Sequence, residues 1–237
     1  MSRTFILFVF LITFFFVSCG KKQINTDQSI DSKLLNTKLN TVEYRTDNEE
    51  IISGLPEIGR WMFDSNLVLA SWLGKKLDNK SIREPINIII VDSISGSEDE
   101  AKKNLMRAFT DAGLKNRWGH TSGYKGLIDS VFCSQFPGKN FYAFSDKPFE
   151  FDNNHGRIFG PYFKNGFYYF TGALSRESGY YHNYISFIQA RDEIAASLDE
   201  RTNYKFTKKV WLDNAINNDS ATTGDHDGYA ILIEVTK

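Results

Sequence analysis

The chain opens on an apolar run from Phe5 to Val17, turns polar as far as about Glu50, and only then begins to alternate in ways that specify elements. The clearest pattern is Pro85-Ile86-Asn87-Ile88-Ile89-Ile90-Val91, a nearly continuous β-branched run behind a proline, which predicts a strand buried on both faces. Ser97-Glu98-Asp99-Glu100 then reads as a capping box, in which a hydroxyl and a carboxylate satisfy free backbone amides at a helix start. Ala101, Leu105, Ala108, Phe109 and Ala112 recur at helical spacing, and Gly113 supplies the stop.

Elsewhere the pattern is shorter in range. Ile51 to Leu77 carries Trp61, Met62, Phe63, Leu67, Val68, Leu69 and Trp72, which predicts a first layer of helix and then extended chain, with Pro56 in the first helical turn. Tyr124, Leu127, Ile128, Val131 and Phe132, spaced by three and four, predict a second short helix over Gly123 to Gln135. Pro137-Gly138 turns the chain into a strand at Phe141 to Phe144. His155 to Phe159 and Phe167 to Leu174 form an expected strand pair, joined across Gly160-Pro161 and Lys164-Asn165-Gly166, where Asn-Gly is a strong turn signal. A strand at Tyr180 to Phe187, a helix at Ile188 to Leu198, an amphipathic segment around Val210 to Ile216 and a closing strand at Tyr229 to Val235 complete the pattern. The expected fold is a single α+β domain, a mixed and largely antiparallel sheet covered by helices.

The apolar start changes the picture of where this domain works. Arg3, thirteen residues from Phe5 to Val17 and then Ser18-Cys19-Gly20 have the layout of a secretory signal, too short to cross a bilayer of about 30 Å comfortably. Phe16-Val17-Ser18-Cys19 resembles a bacterial lipoprotein signal, in which the cysteine is lipidated; an ordinary secreted protein cut nearby is the alternative. The expected organisation is a signal over 1–18, a flexible tether over 19–50 and the folded domain over 51–237. The domain is therefore expected outside the cytoplasm, in the bacterial cell envelope, held to a membrane by lipid on Cys19. A net charge of -1 predicts no nucleic-acid partner and no polybasic membrane patch. With Cys19 lipidated, Cys133 is the one remaining thiol, so no intramolecular disulfide forms, and its apolar neighbours make it a buried small hydrophobe.

Candidate chemistry concentrates between Asn153 and Asp192. Residues two apart on a strand share a face, so His155 and Arg157 point together. Ser175 and Arg176 end the next expected strand, His182 begins the one after, and Arg191 and Asp192 arrive from the following helix. Two imidazoles and two guanidiniums meeting at one end of a sheet would suit an anionic ligand, which guanidinium grips in bidentate fashion. The competing reading pairs Arg157 and Arg176 with carboxylates and both histidines with backbone carbonyls. The loop Asp92 to Ser97 lacks a Gly-rich phosphate fingerprint and reads as a polar loop ending in a helix cap. Asp225-His226-Asp227 reads as an exposed turn, with metal ligation the less favoured alternative. His120 has no companion in sequence and is expected at the surface or in a turn.

His155-x-Arg157, the strand end Gly172-Ala173-x-Ser175-Arg176, His182 and Ala190-Arg191-Asp192 together resemble the LssY-like C-terminal domain family, over a stretch from about Pro85 to Leu198. Members of that family stand alone or follow membrane proteins of the phosphatidic-acid-phosphatase and DedA types, so the resemblance implies envelope lipid or phosphate chemistry. Tyr181, Tyr184, Ser186 and Ile188 stand where the family tends to place a second histidine and acidic residues, so it implies neither a metal set nor a cofactor. Two functions follow. The first is a non-catalytic envelope domain that binds an anionic lipid headgroup, a glycan or an envelope protein. The second is a hydrolase or phosphotransfer enzyme with His155 or His182 as acid-base and Ser175 as the one nucleophile candidate, which needs a histidine within hydrogen-bond reach.

Overall fold

The β-branched run becomes a strand, Ile88–Asp92, that is buried along its whole length. Its side chains alternate between two cores: Ile88 and Ile90 join a cluster with Phe109, Phe170, Leu174 and Leu198, whereas Ile89 and Val91 join Ile58, Met62, Phe159, Tyr169 and Leu232. A computed structural model describes residues 49–236, so the expected signal, Cys19 and nearly all of the expected tether lie outside the described residues.

In chain order the strands are β1 (Glu49–Glu50), β2 (Ile58–Gly59), β3 (Ser71–Leu77), β4 (Lys80–Arg83), β5 (Ile88–Asp92), β6 (Lys115–Trp118), β7 (Lys125–Ile128) and β8 (Val131–Phe136). They continue as β9 (Tyr142–Ser145), β10 (Asn153–Lys164), β11 (Phe167–Ser178), β12 (Asn183–Ser186), β13 (Tyr204–Trp211), β14 (Ala221–Thr222) and β15 (Tyr229–Val235). Two helices, α1 (Glu98–Asp111) and α2 (Phe187–Arg201), are present among the described residues. The main sheet has twelve strands, with the path β1-β2-β7-β8-β10-β11-β5-β15-β13 and with β12, β6 and β9 joined at its side. A small second sheet runs β14-β4-β3.

The ends of α1 are set by its own sequence. Ser97 Oγ accepts from Glu100 N at 3.2 Å, while Glu100 reaches back to Gly96 N at 2.8 Å, one residue earlier than in the usual box. At the other end Gly113, with φ 91, lets Leu114 N reach Phe109 O and Gly113 N reach Thr110 O, a Schellman stop.

The expected sheet covered by helices is not what forms. The fold is mostly β, 47% strand against 16% helix, built on a large curled sheet with α1 and α2 filling one of its two cores. The expected helix over Gly123 to Gln135 is the hairpin β7–β8. Asp129 and Ser130 both have positive φ, at 48° and 62°, which is the two-residue turn that pairs Ile128 with Val131. The spacing of three and four thus came from apolar pairs on either side of a tight turn. Ile51 to Leu77 likewise holds no helix: it forms β2, β3 and isolated bridges such as Phe63 with Lys125. Glu49–Glu50 pairs with Ile58–Gly59, so the sheet takes in two residues ahead of the expected boundary at 51. No helix of the described residues is long and apolar enough to cross a membrane.

Candidate functional site

The hairpin β10–β11 carries most of the site. Its register sets His155 opposite Ser175 and Asn153 opposite Glu177, so the side chains of His155, Arg157, Ser175 and Glu177 share one face. Asn154 and Arg176, also opposite one another, point through the other face, where Arg176 donates to Asn154 at 3.0 Å and lies 3.5 Å from Glu193 of α2.

Three further segments close over the first face. Trp72 of β3 donates its indole N–H to His182 O at 2.8 Å, fixing a residue that sits at φ 49 in the turn after β11. Gly119 and His120 both donate backbone N–H to Phe141 O, which brings the His120 ring onto His155 with centroids 4.8 Å apart and planes 23° from parallel. Phe149 stacks on His182 from outside, centroids 5.6 Å apart. Gly119 is required there, because a Cβ would stand 2.2 Å from the Phe149 ring. Trp72, Glu84, Thr121 and Arg157, with the three histidines and Glu177, line a cavity of about 180 Å3.

One carboxylate oxygen is the focus. Glu177 Oε1 lies 2.8 Å from His182 Nδ1, 3.5 Å from His120 Nδ1 and 3.7 Å from His155 Nδ1. The first is a hydrogen bond and the last is too long to be one. His155 Nε2 sits 3.2 Å from Ser175 Oγ and 3.3 Å from Arg157 NH1. A guanidinium can only donate, so this nitrogen accepts and the ring proton is on Nδ1, turned towards Glu177. Arg157 also donates to Glu84 at 3.0 Å and to Thr121 through two atoms. Both His120 Nε2 and His155 Nδ1 are buried without a hydrogen-bond partner.

Burial dominates the electrostatics. It pushes His120 down to about 4 and His155 well below its ordinary value, with Glu177 pulling weakly the other way, so both rings are neutral near pH 7. Burial alone would raise Glu177, but the imidazoles His155, His182 and His120 facing it outweigh that and hold it at about 2. Glu84 is raised by burial, an effect that Arg157 opposes. With Arg157 engaged by Glu84, the carboxylate of Glu177 is held by imidazoles and an amide, His182 at 2.8 Å and Asn153 Nδ2 at 3.3 Å, rather than by a guanidinium or an ammonium.

The structure thus unites His155, Arg157 and His182 but separates the other expected members. Arg176 is on the wrong face of β11, by the two-residue alternation of a strand. Arg191, fully buried, is saturated by Asp227, by Asp192 at 2.8 Å and by Tyr229 O at 2.8 Å. No convergence of guanidiniums on an anion therefore exists in this cluster. Ser175 meets the requirement of a histidine within reach, yet it is 1% exposed and does not line the cavity, so its hydroxyl orients His155 and has no path to a substrate.

Two expectations about other histidines are corrected. His120 is 2% exposed and central to the cavity. His226 is also buried, and the Asp225-His226-Asp227 segment is a structural joint: Asp225 accepts Phe187 N at the start of α2, His226 pairs with Asn214 at 2.7 Å, and Asp227 binds Arg191. Glu177 was legible as a same-face neighbour of Ser175 two residues on; Glu84, Trp72 and His120 come from loops and strand ends that carry no sequence signal for the site.

A second cavity of about 230 Å3 lies between α1 and Thr202 to Tyr204; Arg107 and Asp111 are its charged lining residues, and no histidine reaches it. No family model, curated protein or solved structure matches this chain.

Proposed function

We propose that this protein is a cell-envelope domain, LssY-like and lipid-anchored through Cys19, that binds a small ligand in the cavity between Trp72, His120, His155 and His182. The ligand is an electron-poor one, a cation or a strong hydrogen-bond donor, and this replaces the anionic ligand that the arginines suggested. One observation carries the reading: Glu177 is a buried carboxylate at the cavity wall that is faced by three imidazoles, while Arg157, the guanidinium lining the same cavity, is engaged by Glu84 at 3.0 Å. Imidazoles share their protons readily, so a cationic ligand can take over part of what they give this carboxylate, and an ionised Glu177 favours positive over negative ligands in the cavity.

A second reading draws on the same carboxylate. The His182–Glu177 pair at 2.8 Å resembles a base and its orienting acid, and His182 is the exposed member, with 19% of its side chain accessible. In that reading His182 removes a proton from a ligand held in the cavity, which suits a hydrolase.

The test is thermal unfolding of the purified full chain with and without small cations (ammonium, methylammonium, divalent ions) and small anions (phosphate, acetate). Cations raise the midpoint, anions do not, and Glu177→Gln removes the response. Stabilisation by phosphate that survives Glu177→Gln would overturn the reading.

A further inference from the structure

The distances around Glu177 Oε1 narrow the ligand further, on the premise that the pocket takes a cation. Atoms of His120, His155 and Glu177 that can ligate a metal all lie within 4.8 Å of one another, and all three residues are buried. His120 Nδ1 and His155 Nδ1 stand 3.5 Å and 3.7 Å from the carboxylate oxygen, at or beyond the limit of a useful hydrogen bond. Nitrogen and oxygen ligands bound tetrahedrally at about 2.0–2.1 Å are separated from each other by about 3.3–3.4 Å. The two spacings to the carboxylate come close to that edge length, and the set as a whole, spread over up to 4.8 Å, would draw in slightly around an ion. Octahedral ligands at similar bond lengths would sit about 3.0 Å apart, which fits less well.

We propose that this cluster is a divalent transition-metal site, with imidazole nitrogens of His120 and His155 and the Glu177 carboxylate as its three protein ligands. Two imidazoles and one carboxylate are the donors of Zn2+ and its neighbours, whereas Mg2+ and Ca2+ call for oxygen alone. The three residues line the cavity together with Trp72 and Arg157, so an ion held there would have an open side for water or a ligand atom.

The surrounding groups fit that role. His182 donates Nδ1–H to Glu177 and orients the carboxylate. Binding at His155 Nδ1 displaces the proton there and leaves the ring protonated on Nε2, where Ser175 Oγ accepts it at 3.2 Å. Arg157, released from Nε2, keeps Glu84 and Thr121. Ser175 is thus a positioning residue: buried, polar, beyond the cavity and behind a ligand.

The experiment uses the full chain, stripped with chelator and returned to Zn2+ or Co2+. One equivalent binds, the unfolding midpoint rises, and the Co2+ form shows the intense visible absorption of tetrahedral coordination. Glu177→Gln and His120→Gln each weaken binding at least about 100-fold, and Ser175→Ala, which touches no ion, weakens it about 10- to 100-fold. Arg176→Ala, on the opposite face, leaves binding unchanged. Circular dichroism checks that each variant is folded; if Glu177→Gln unfolds, Ser175→Ala and the Co2+ spectrum decide. Absence of stoichiometric binding by wild type, an octahedral Co2+ spectrum, or binding undiminished in folded Glu177→Gln would overturn the proposal. If methylammonium still stabilises wild type while metals do not bind, the cation pocket stands and the metal site falls; if neither acts, both fall.

Discussion

Two buried polar clusters, one around Arg191 and one around Glu177, look alike in composition and differ in saturation. In the first, Arg191 is met by Asp227 and Asp192, Asp225 by the start of α2 and His226 by Asn214, which leaves one buried nitrogen, His226 Nδ1, without a hydrogen-bond partner and outside the lining of the site's cavity. In the second, two imidazoles turn buried nitrogens to places where no protein atom receives them. Polar groups that complete one another hold a fold together; polar groups left incomplete in the interior mark where a fold expects something from outside.

That contrast can be broken most sharply at Arg191. Replacing it by alanine empties the space of a fully buried side chain and takes the partner from the half-buried Asp227, and is expected to cost about 2–4 kcal/mol in denaturant unfolding. A cost below about 1 kcal/mol would mean that the saturated cluster is as dispensable as an exposed one.

Acid probes both clusters together. His226 and His120 are each pushed down to about 4 by burial, so between about pH 6.5 and 4 the unfolded chain takes up protons that the folded chain refuses. Stability of the metal-free protein therefore falls as pH drops through that window, by on the order of 2–3 kcal/mol for a fully buried ring. His226→Asn and His120→Asn should each flatten the pH profile measured by thermal melts. A flat wild-type profile from pH 7 to 5 would show that neither ring is held neutral.

Asp225→Ala sharpens the structural half. It removes the acceptor of Phe187 N and the partner of the Ser186 and Tyr184 hydroxyls, and about 1–2 kcal/mol should be lost, with fraying of α2 seen by hydrogen exchange. The smallest effect belongs to the functional half. Glu177→Gln keeps an acceptor for His182 Nδ1 but gives up the favourable field of the imidazoles, so unfolding free energy should fall by only about 1 kcal/mol while cation stabilisation disappears. A loss as large as that of Arg191→Ala would place Glu177 among the groups that merely support the fold.

How much of this could be read in the sequence followed the range of the interactions. The unit from Ile88 to Gly113 was legible because its signals, a β-branched run, a hydroxyl cap and a terminal glycine, act within a few residues. The β10–β11 hairpin was legible through Asn165-Gly166, whose positive φ values, 52° and 88°, make the turn. The β7–β8 hairpin was misread because Asp129-Ser130 is a weaker turn signal than Asn-Gly, and four apolar residues around it imitate a helix face. At the site, strand alternation placed His155 and Arg157 together; the same rule applied to β11 would have sent Arg176 away and brought Glu177 in. His120 was invisible because a loop held by two bonds to Phe141 O delivers it, and nothing local encodes that meeting.

The place of β15 in the main sheet bears on when such a chain can acquire its shape. It lies parallel to β5 and antiparallel to β13, so the final strand is inserted between neighbours from the middle and the end of the domain. Until it is available, β5 keeps a bare hydrogen-bonding edge and β13 has no partner in the sheet, and pairing across so long a loop is slow to nucleate. A polypeptide synthesised as far as residue 228 thus still lacks the strand that joins β13 to the rest of the sheet, and the domain closes only when its last residues arrive.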